Sequence, residues 1–125
     1  MFFLDAEDLH GSVWHGSFKC DRDTNSVPVT VTIHHTGIRS NLLAEVDVGG
    51  HNANMSGTFA SFHKSLSLRG TSGPNIIGGR NIGEMEIDGG FSSPLDVHGV
   101  AIFVLSADRR EVCSLTLHRN EGTCI

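Results

Sequence analysis

The chain has 125 residues, of which 38% are hydrophobic and 18% are charged, with a net charge of −5. This composition excludes a disordered tail and a coiled coil, and the length predicts one domain spanning residues 1–125 with a single core. No Lys/Arg run exceeds the pair Arg109–Arg110, so we expect no nucleic-acid partner, because nucleic-acid binding needs a clustered basic face. No apolar run approaches the roughly 20 residues that cross a bilayer. The opening MFFLDAED lacks the pattern of a signal peptide, so we also expect no membrane span.

Alternation of apolar and polar residues with a period of two recurs along the chain, and no segment sustains a helical period. After a single helical turn within Leu4–Leu9, the alternating segments in chain order are VWHGSFKC, VPVTVTIHH, NLLAEVDV, MSGTFASF, KSLSLRG, EMEIDGGF, LDVHGVAIFVL and VCSLTLHR. Pro28 cannot donate to a ladder, so its strand starts there or lies at an edge. Together these segments predict an all-β fold, a single antiparallel barrel or sandwich of about eight strands. Residues 1–11 form a short lead and residues 120–125 a tail.

Three cysteines stand at positions 20, 113 and 124, with none of the spacing of a metal knuckle. Cys20 shares the inward face of the first strand with Trp14, and Cys113 shares the inward face of the last strand. We therefore predict a Cys20–Cys113 disulfide in the core, with two buried free thiols as the alternative. Cys124, near the C-terminus, is a candidate for an intermolecular bond; the alternative is an unpaired tail thiol.

Four segments, WHGSFKC, VPVTVTI, SGTFASFHKSLSLRG and CSLTLHR, follow one another in a distinctive order. This order resembles that of small extracellular β domains that open with W-x-G-x-[FY]-x-C, among them the barrel domain of annelid haemoglobin linker chains and uncharacterised bacterial secreted domains. The resemblance implies a β-barrel with a non-enzymatic role in assembly. It transfers no functional residues to this chain.

Three connections are predicted to be exposed binding loops, Gly49–Asn54, Thr71–Gly83 and Ser106–Glu111. The sequon Asn54-Met55-Ser56 predicts glycosylation of Asn54. The His, Asn and Gly residues of the first loop could bind a glycan, although Tyr is absent and the sole Trp is expected in the core, so platforms for sugar rings are scarce. The candidate binding residues are His51, Asn52, Asn54, Asn75, Arg80 and Asn81.

Asp96 and His98 lie two residues apart on one face, a spacing used by zinc ligands on strands, but no third ligand is identifiable. We expect solvated surface histidines and no metal. Glu84, Glu86 and Asp88 line one face of a strand and are either a paired-carboxylate site or simply its wet face. The sequence has no G-x-S-x-G nucleophile motif and no phosphate-loop G-K-[ST], so we predict no catalytic residue and no cofactor.

These patterns favour a non-catalytic extracellular β domain that acts in recognition or assembly and binds a protein or glycan partner through its loops. Cys124 adds the expectation of an oligomer. One alternative is a lipocalin-like carrier with a small apolar ligand inside the barrel, and a second is an enzyme with an unrecognised site. For the location, the alternative to secretion is a cytosolic protein with three reduced thiols.

Overall fold

A computed structural model describes residues 4–20, 26–72, 84–106 and 109–119. Within these ranges the chain forms one short 3-10 helix, Ala6–Leu9, followed by eight strands that each pair antiparallel with the next. β8 pairs back onto β1 and closes a barrel. The prediction of an antiparallel all-β fold is confirmed. Of the two predicted architectures, barrel and sandwich, the structure is a barrel. The strands are β1 Ser12–Cys20, β2 Val27–His35, β3 Asn41–Val48, β4 His51–Ala60, β5 Ser65–Ser72, β6 Glu84–Ser93, β7 Asp96–Ser106 and β8 Arg109–Arg119.

Side chains fill the interior of the barrel. The predicted period-2 alternation places one apolar set on the inner face of every strand, and in the structure this set occupies the space that a lipocalin-like carrier would leave for a ligand. Trp14 and Phe59 each pack edge-to-face on Phe91, with ring centroids 5.4 Å apart. Nearer the other end, the rings of Phe18 and Phe103 lie 5.2 Å apart. The largest fully buried side chains also include Leu9, Ile33, Leu42, Leu68, Met85, Ile87, Leu115 and Val31.

Glycines on the inner face let the strands coil tightly enough to close the barrel. A Cβ atom at Gly16 would overlap the carbonyl oxygen of Thr116 on β8, and one at Gly57 would overlap that of Ser67 on β5. No rotamer relieves such an overlap, because both partners are backbone. These glycines therefore act as the kinks that a small closed barrel requires.

The first and last strands are joined by hydrogen bonding and by a covalent bond. β1 and β8 pair in continuous register from Trp14↔Arg119 to Cys20↔Cys113. The predicted Cys20–Cys113 disulfide is present at the end of that ladder, and both residues are buried. Pro28 is the second residue of β2, so it marks a strand start; it does not lie at an edge, because the closed sheet has none.

The 3-10 helix covers one end of the barrel, which we call the helix end. Leu9, the last residue of this helix, is fully buried. Its carbonyl accepts a 2.5 Å hydrogen bond from the Ser12 hydroxyl, which in turn accepts a 2.9 Å bond from Trp14 Nε1. This relay satisfies the polar group of a wholly buried indole, as burial requires. In an up-and-down barrel alternate connections lie at the same end, so the helix end also carries the connections 36–40, 61–64 and 94–95.

Candidate functional site

The helix end carries a depression of about 280 Å³ with an apolar residue projecting from each of two adjoining loops. Phe62, in the β4–β5 turn, is 89% exposed, and Ile38, in the β2–β3 loop, is 61% exposed. That turn spans residues 61–64. We call Ile38, Phe62 and the depression between their loops the rim. The depression is lined by Asp5, Ala6, Glu7, Arg39, Ser40, Phe59 and Ser61.

Two cationic residues of the rim loops adopt a left-handed backbone conformation. Arg39 has φ 47° and Lys64 has φ 50°, and they are the non-glycine residues with positive φ in the part of the chain that the structure describes. Glycine would relieve this conformation, which costs a side-chain-bearing residue on the order of 1–3 kcal/mol. Each rim loop thus has a positively charged residue, Arg39 or Lys64, at a position where the backbone conformation favours glycine. Such strain clusters at functional sites.

Hydrogen bonds hold the Arg39 loop against the barrel. The backbone N–H of His35 donates to Nδ1 of His10 at 3.0 Å, and Nε2 of His35 lies 2.7 Å from the carbonyl oxygen of Arg39. The rings of His10 and His34 meet edge-to-face with centroids 5.9 Å apart. These contacts tie the Arg39 loop to β2, and β2 to the lead segment, so the Ile38 side of the rim is held in place.

The outer wall carries a carboxylate–imidazole pair instead of the suggested Asp96–His98 zinc pair. Oδ1 of Asp96 lies 2.8 Å from Nδ1 of His118 on β8, and its Oδ2 accepts a 2.9 Å bond from Ser93. The hydrogen bonds from His118 and Ser93 lower the pKa of Asp96. Asp96 thus uses its two oxygens on partners other than His98. No group of three His, Cys, Asp or Glu side chains is placed to hold a metal ion among the residues described.

Two of the three acidic residues of β6, Glu86 and Asp88, are hydrogen-bonded to each other, but Glu86 also pairs with a cation. Oε1 of Glu86 lies 2.6 Å from Nε of Arg69, its register partner on β5. A hydrogen bond with Asp88, together with burial and charge repulsion from it, raises the pKa of Glu86 against the opposing effect of Arg69. Glu84 is exposed at the start of the strand. The three carboxylates form an outward, partly solvated charged row, the arrangement expected of the wet face.

All three predicted loops are wrong in extent. The Gly49–Asn54 loop is reduced to Gly49 and Gly50, whose positive φ values of 59° and 94° allow a two-residue hairpin turn. β4 therefore begins at His51, and Asn52 and Asn54 are exposed strand residues on the outer wall. Asn54 is paired in register with Glu45 and Thr71, so the predicted glycosylation acceptor lies on a strand and not in a turn.

Strands also take up the ends of the other two predicted loops. β7 runs to Ser106 and β8 starts at Arg109, so the Ser106–Glu111 loop shrinks to residues 107–108, which lie outside the described residues. Thr71 and Ser72 belong to β5, and the rest of the Thr71–Gly83 connection is outside the described ranges. The candidate residues Asn75, Arg80, Asn81 and Cys124 also fall outside them.

Sequence reasoning missed the rim, although a local signal was available. TGIRS and SFHKS each place a large apolar residue inside a short connection of turn-forming and polar residues. Because such a residue lies outside the strands, it does not belong to the inward-facing apolar set, and its side chain is exposed to solvent. Exposed large apolar residues that group together mark interaction sites. The depression between the loops is a tertiary feature with no sequence signal.

Comparison with models of protein families, with curated proteins and with solved structures finds no match to this chain. The similarity to the barrel domain of annelid haemoglobin linker chains therefore stays a prediction from the order of the motifs. Within the described ranges, no helix has the length and apolar character needed to cross a bilayer.

Proposed function

We propose that the chain is a non-catalytic extracellular module for recognition or assembly, and that it binds a protein partner through the rim. The observation that carries this proposal is Phe62, a phenyl side chain 89% exposed at the tip of a hairpin, with Ile38 on the adjoining loop. Exposing a large apolar side chain to water is unfavourable, and a partner that covers it recovers that free energy.

The filled interior favours binding at the outer surface over the lipocalin-like alternative. A carrier needs an internal cavity, whereas Trp14, Phe18, Phe59 and Phe103 occupy the inside of this barrel and are at most 2% exposed. An eight-stranded barrel is just wide enough for side chains to fill it, or for one small ligand to replace them. With the interior occupied, the rim and the outer wall are the surfaces left for binding.

The Cys20–Cys113 disulfide supports the extracellular part of the proposal. Disulfides persist in oxidising compartments and are rare as structural elements in the cytosol. This bond is buried among core residues at the β1–β8 seam, a place typical of a structural disulfide. An exposed and readily exchanged bond would instead favour a redox role.

The test is photo-crosslinking from the rim. The full chain, with p-benzoylphenylalanine at position 62, is irradiated in the extracellular fluid of the cells that produce it, and the adducts are identified by mass spectrometry. The same photo-reactive residue at Val112, which is 50% exposed on β8, serves as the control position. The purified partner is then titrated against wild type, Phe62→Ser and Val112→Ser.

We expect a partner that crosslinks from position 62 and not from position 112. Because covering a phenyl group is worth about 1.5–3 kcal/mol, Phe62→Ser should weaken binding at least tenfold, while Val112→Ser should bind like wild type. All three proteins should unfold at similar temperatures, since both substitutions are at exposed positions. The same adducts from both positions, or unchanged affinity of Phe62→Ser, would overturn the proposal.

A further inference from the structure

The outer wall contains a second concave feature, a shallow groove of about 430 Å³ across β5, β6 and β7. Gly90, on the middle strand of the three, lines the groove in register with Ser65 on β5 and with His98 on β7. Two residues along the same face, Asp88 pairs with Ser67. The groove is therefore framed by two hydroxyls, a carboxylate and an imidazole around a position that carries no side chain.

The barrel does not require a glycine at position 90. A Cβ atom there would meet only the carbonyl oxygen of His98 at 4.0 Å, and its φ lies outside the left-handed region. The neighbouring inner-face glycines differ, because a Cβ at Gly89 would lie 2.6 Å from Val97 and one at Gly99 would overlap the backbone of Asp88. Glycine inside a strand weakens it relative to alanine, and such a residue marks a bulge, a tight bend or a place where a ligand comes close to the backbone. The register shift of β6 lies beyond Gly90, between Phe91 and Ser93, while Gly90 itself is paired in regular register on both sides.

From the open floor and its polar frame, we infer that the groove at Gly90 binds a neutral sugar residue of a glycan. The Asp88 carboxylate shares a hydrogen bond with Glu86 and has further lone pairs with which it can accept hydrogen bonds from sugar hydroxyls, and Ser65 and Ser67 can both donate and accept. The CH groups of the ring would then rest on the bare glycine backbone, with the exposed His98 ring at its side.

Charge determines which sugars fit. Asp88 lies on the same outer face of β6 as Glu86 and Glu84, and the whole chain carries a net charge of −5. A uronic or sialic acid would bring a further carboxylate beside this row, and like charges at short range repel. The site therefore selects uncharged sugars. Its exposed and shallow form indicates weak, millimolar-range binding to one residue, strengthened when several copies of a glycan are displayed.

The experiment is a ¹H–¹⁵N NMR titration of the full chain with methyl glycosides of glucose, galactose, mannose and N-acetylglucosamine, and with glucuronate as the charged probe. The variant Gly90→Val fills the groove at a position where the barrel has room for a side chain. The control Ser17→Val makes a similar change on the outer wall of β1, away from the groove. Thermal unfolding is measured for each protein.

At least one neutral glycoside should shift the amides of Gly89, Gly90 and Gly99 in a saturable manner, and glucuronate should not. Gly90→Val should bind that glycoside at least tenfold more weakly and melt no lower than wild type, whereas Ser17→Val should bind normally. The inference is overturned if no neutral glycoside shifts these amides, if the shifts map elsewhere, or if Gly90→Val binds like wild type.

This inference rests on the proposal that the chain is a recognition module, but the two fail separately. Gly90→Val leaves the rim intact, so crosslinking from position 62 should be unchanged in that variant. If a protein partner crosslinks at position 62 but no neutral glycoside binds, only the sugar site at the groove is ruled out. If a neutral glycoside binds but no partner crosslinks at position 62, only the proposed protein interaction at the rim is ruled out.

Discussion

Removing the Cys20–Cys113 bond should lower the free energy of unfolding by about 4.7 kcal/mol. The two cysteines are 93 residues apart in sequence. In the chain-entropy relation, closing a loop of that length removes about 15.6 cal/mol/K from the unfolded state, which gives this figure at 25 °C. The double variant Cys20→Ala/Cys113→Ala also loses two buried sulfur atoms, so packing adds to the loss. The β1–β8 ladder remains, and we expect the variant to fold into the same barrel.

The assay is urea unfolding followed by the fluorescence of Trp14, the chain's single Trp. Both proteins carry Cys124→Ala so that the third thiol cannot exchange with the pair. If the double variant is partly unfolded in water, sucrose is added equally to both samples to bring the transition into range. A loss below about 1.5 kcal/mol would show that the bond does not constrain the unfolded chain as its loop length requires.

Ser12→Ala leaves the buried Nε1 of Trp14 without its acceptor and should cost about 1–3 kcal/mol in urea unfolding, whereas an unchanged midpoint would contradict the relay. Gly16→Ala forces a Cβ into the backbone of β8, so we expect severe destabilisation or failure to fold; circular dichroism with an unchanged melting curve would disprove the kink. Because the folded-state pKa of Asp96 is lowered from 3.8, its carboxylate stabilises the fold above about pH 4, and this contribution is lost as the pH falls through the folded value. Asp96→Asn should therefore flatten the acid side of the stability profile, and an unaltered profile would argue against the His118 pair.

The alternation of side chains made the core predictable from the sequence. In β2, for example, Val29, Val31 and Ile33 share one face of the predicted strand and are all at most 3% exposed in the barrel. The same reasoning placed Cys20 and Cys113 inside. It could not choose between barrel and sandwich, because both bury one face of each strand, and the choice depends on whether the last strand pairs with the first.

Predicted loop boundaries failed where polar residues continue a strand on its outer face. HNAN after Gly50 has the composition of a turn, yet it is the start of β4. On a closed barrel every second side chain faces water, so Asn52 and Asn54 are compatible with a strand. Composition alone does not separate these cases.

The candidate sites depend on tertiary neighbours and were therefore hidden from sequence reasoning. Ile38 and Phe62 lie on loops that β3 and β4 separate in the sequence, but both loops lie at the helix end of the barrel. The groove depends on strand register, which places Gly90 between Ser65 and His98. It also depends on the packing around Gly90, where the structure has room for a side chain. The pairing of Asp96 with His118 instead of His98 is likewise a consequence of register across β7 and β8.

We conclude that this barrel is filled, and we propose that it binds through its outer surface. The most direct test is titration of the native protein with oleic acid and with retinol while Trp14 fluorescence is recorded, because Trp14 is wholly buried inside the barrel and packs on Phe91. A filled interior predicts no saturable change in Trp14 emission with either ligand. A saturable change that ends near one equivalent would show that the interior admits a ligand, and would contradict the claim.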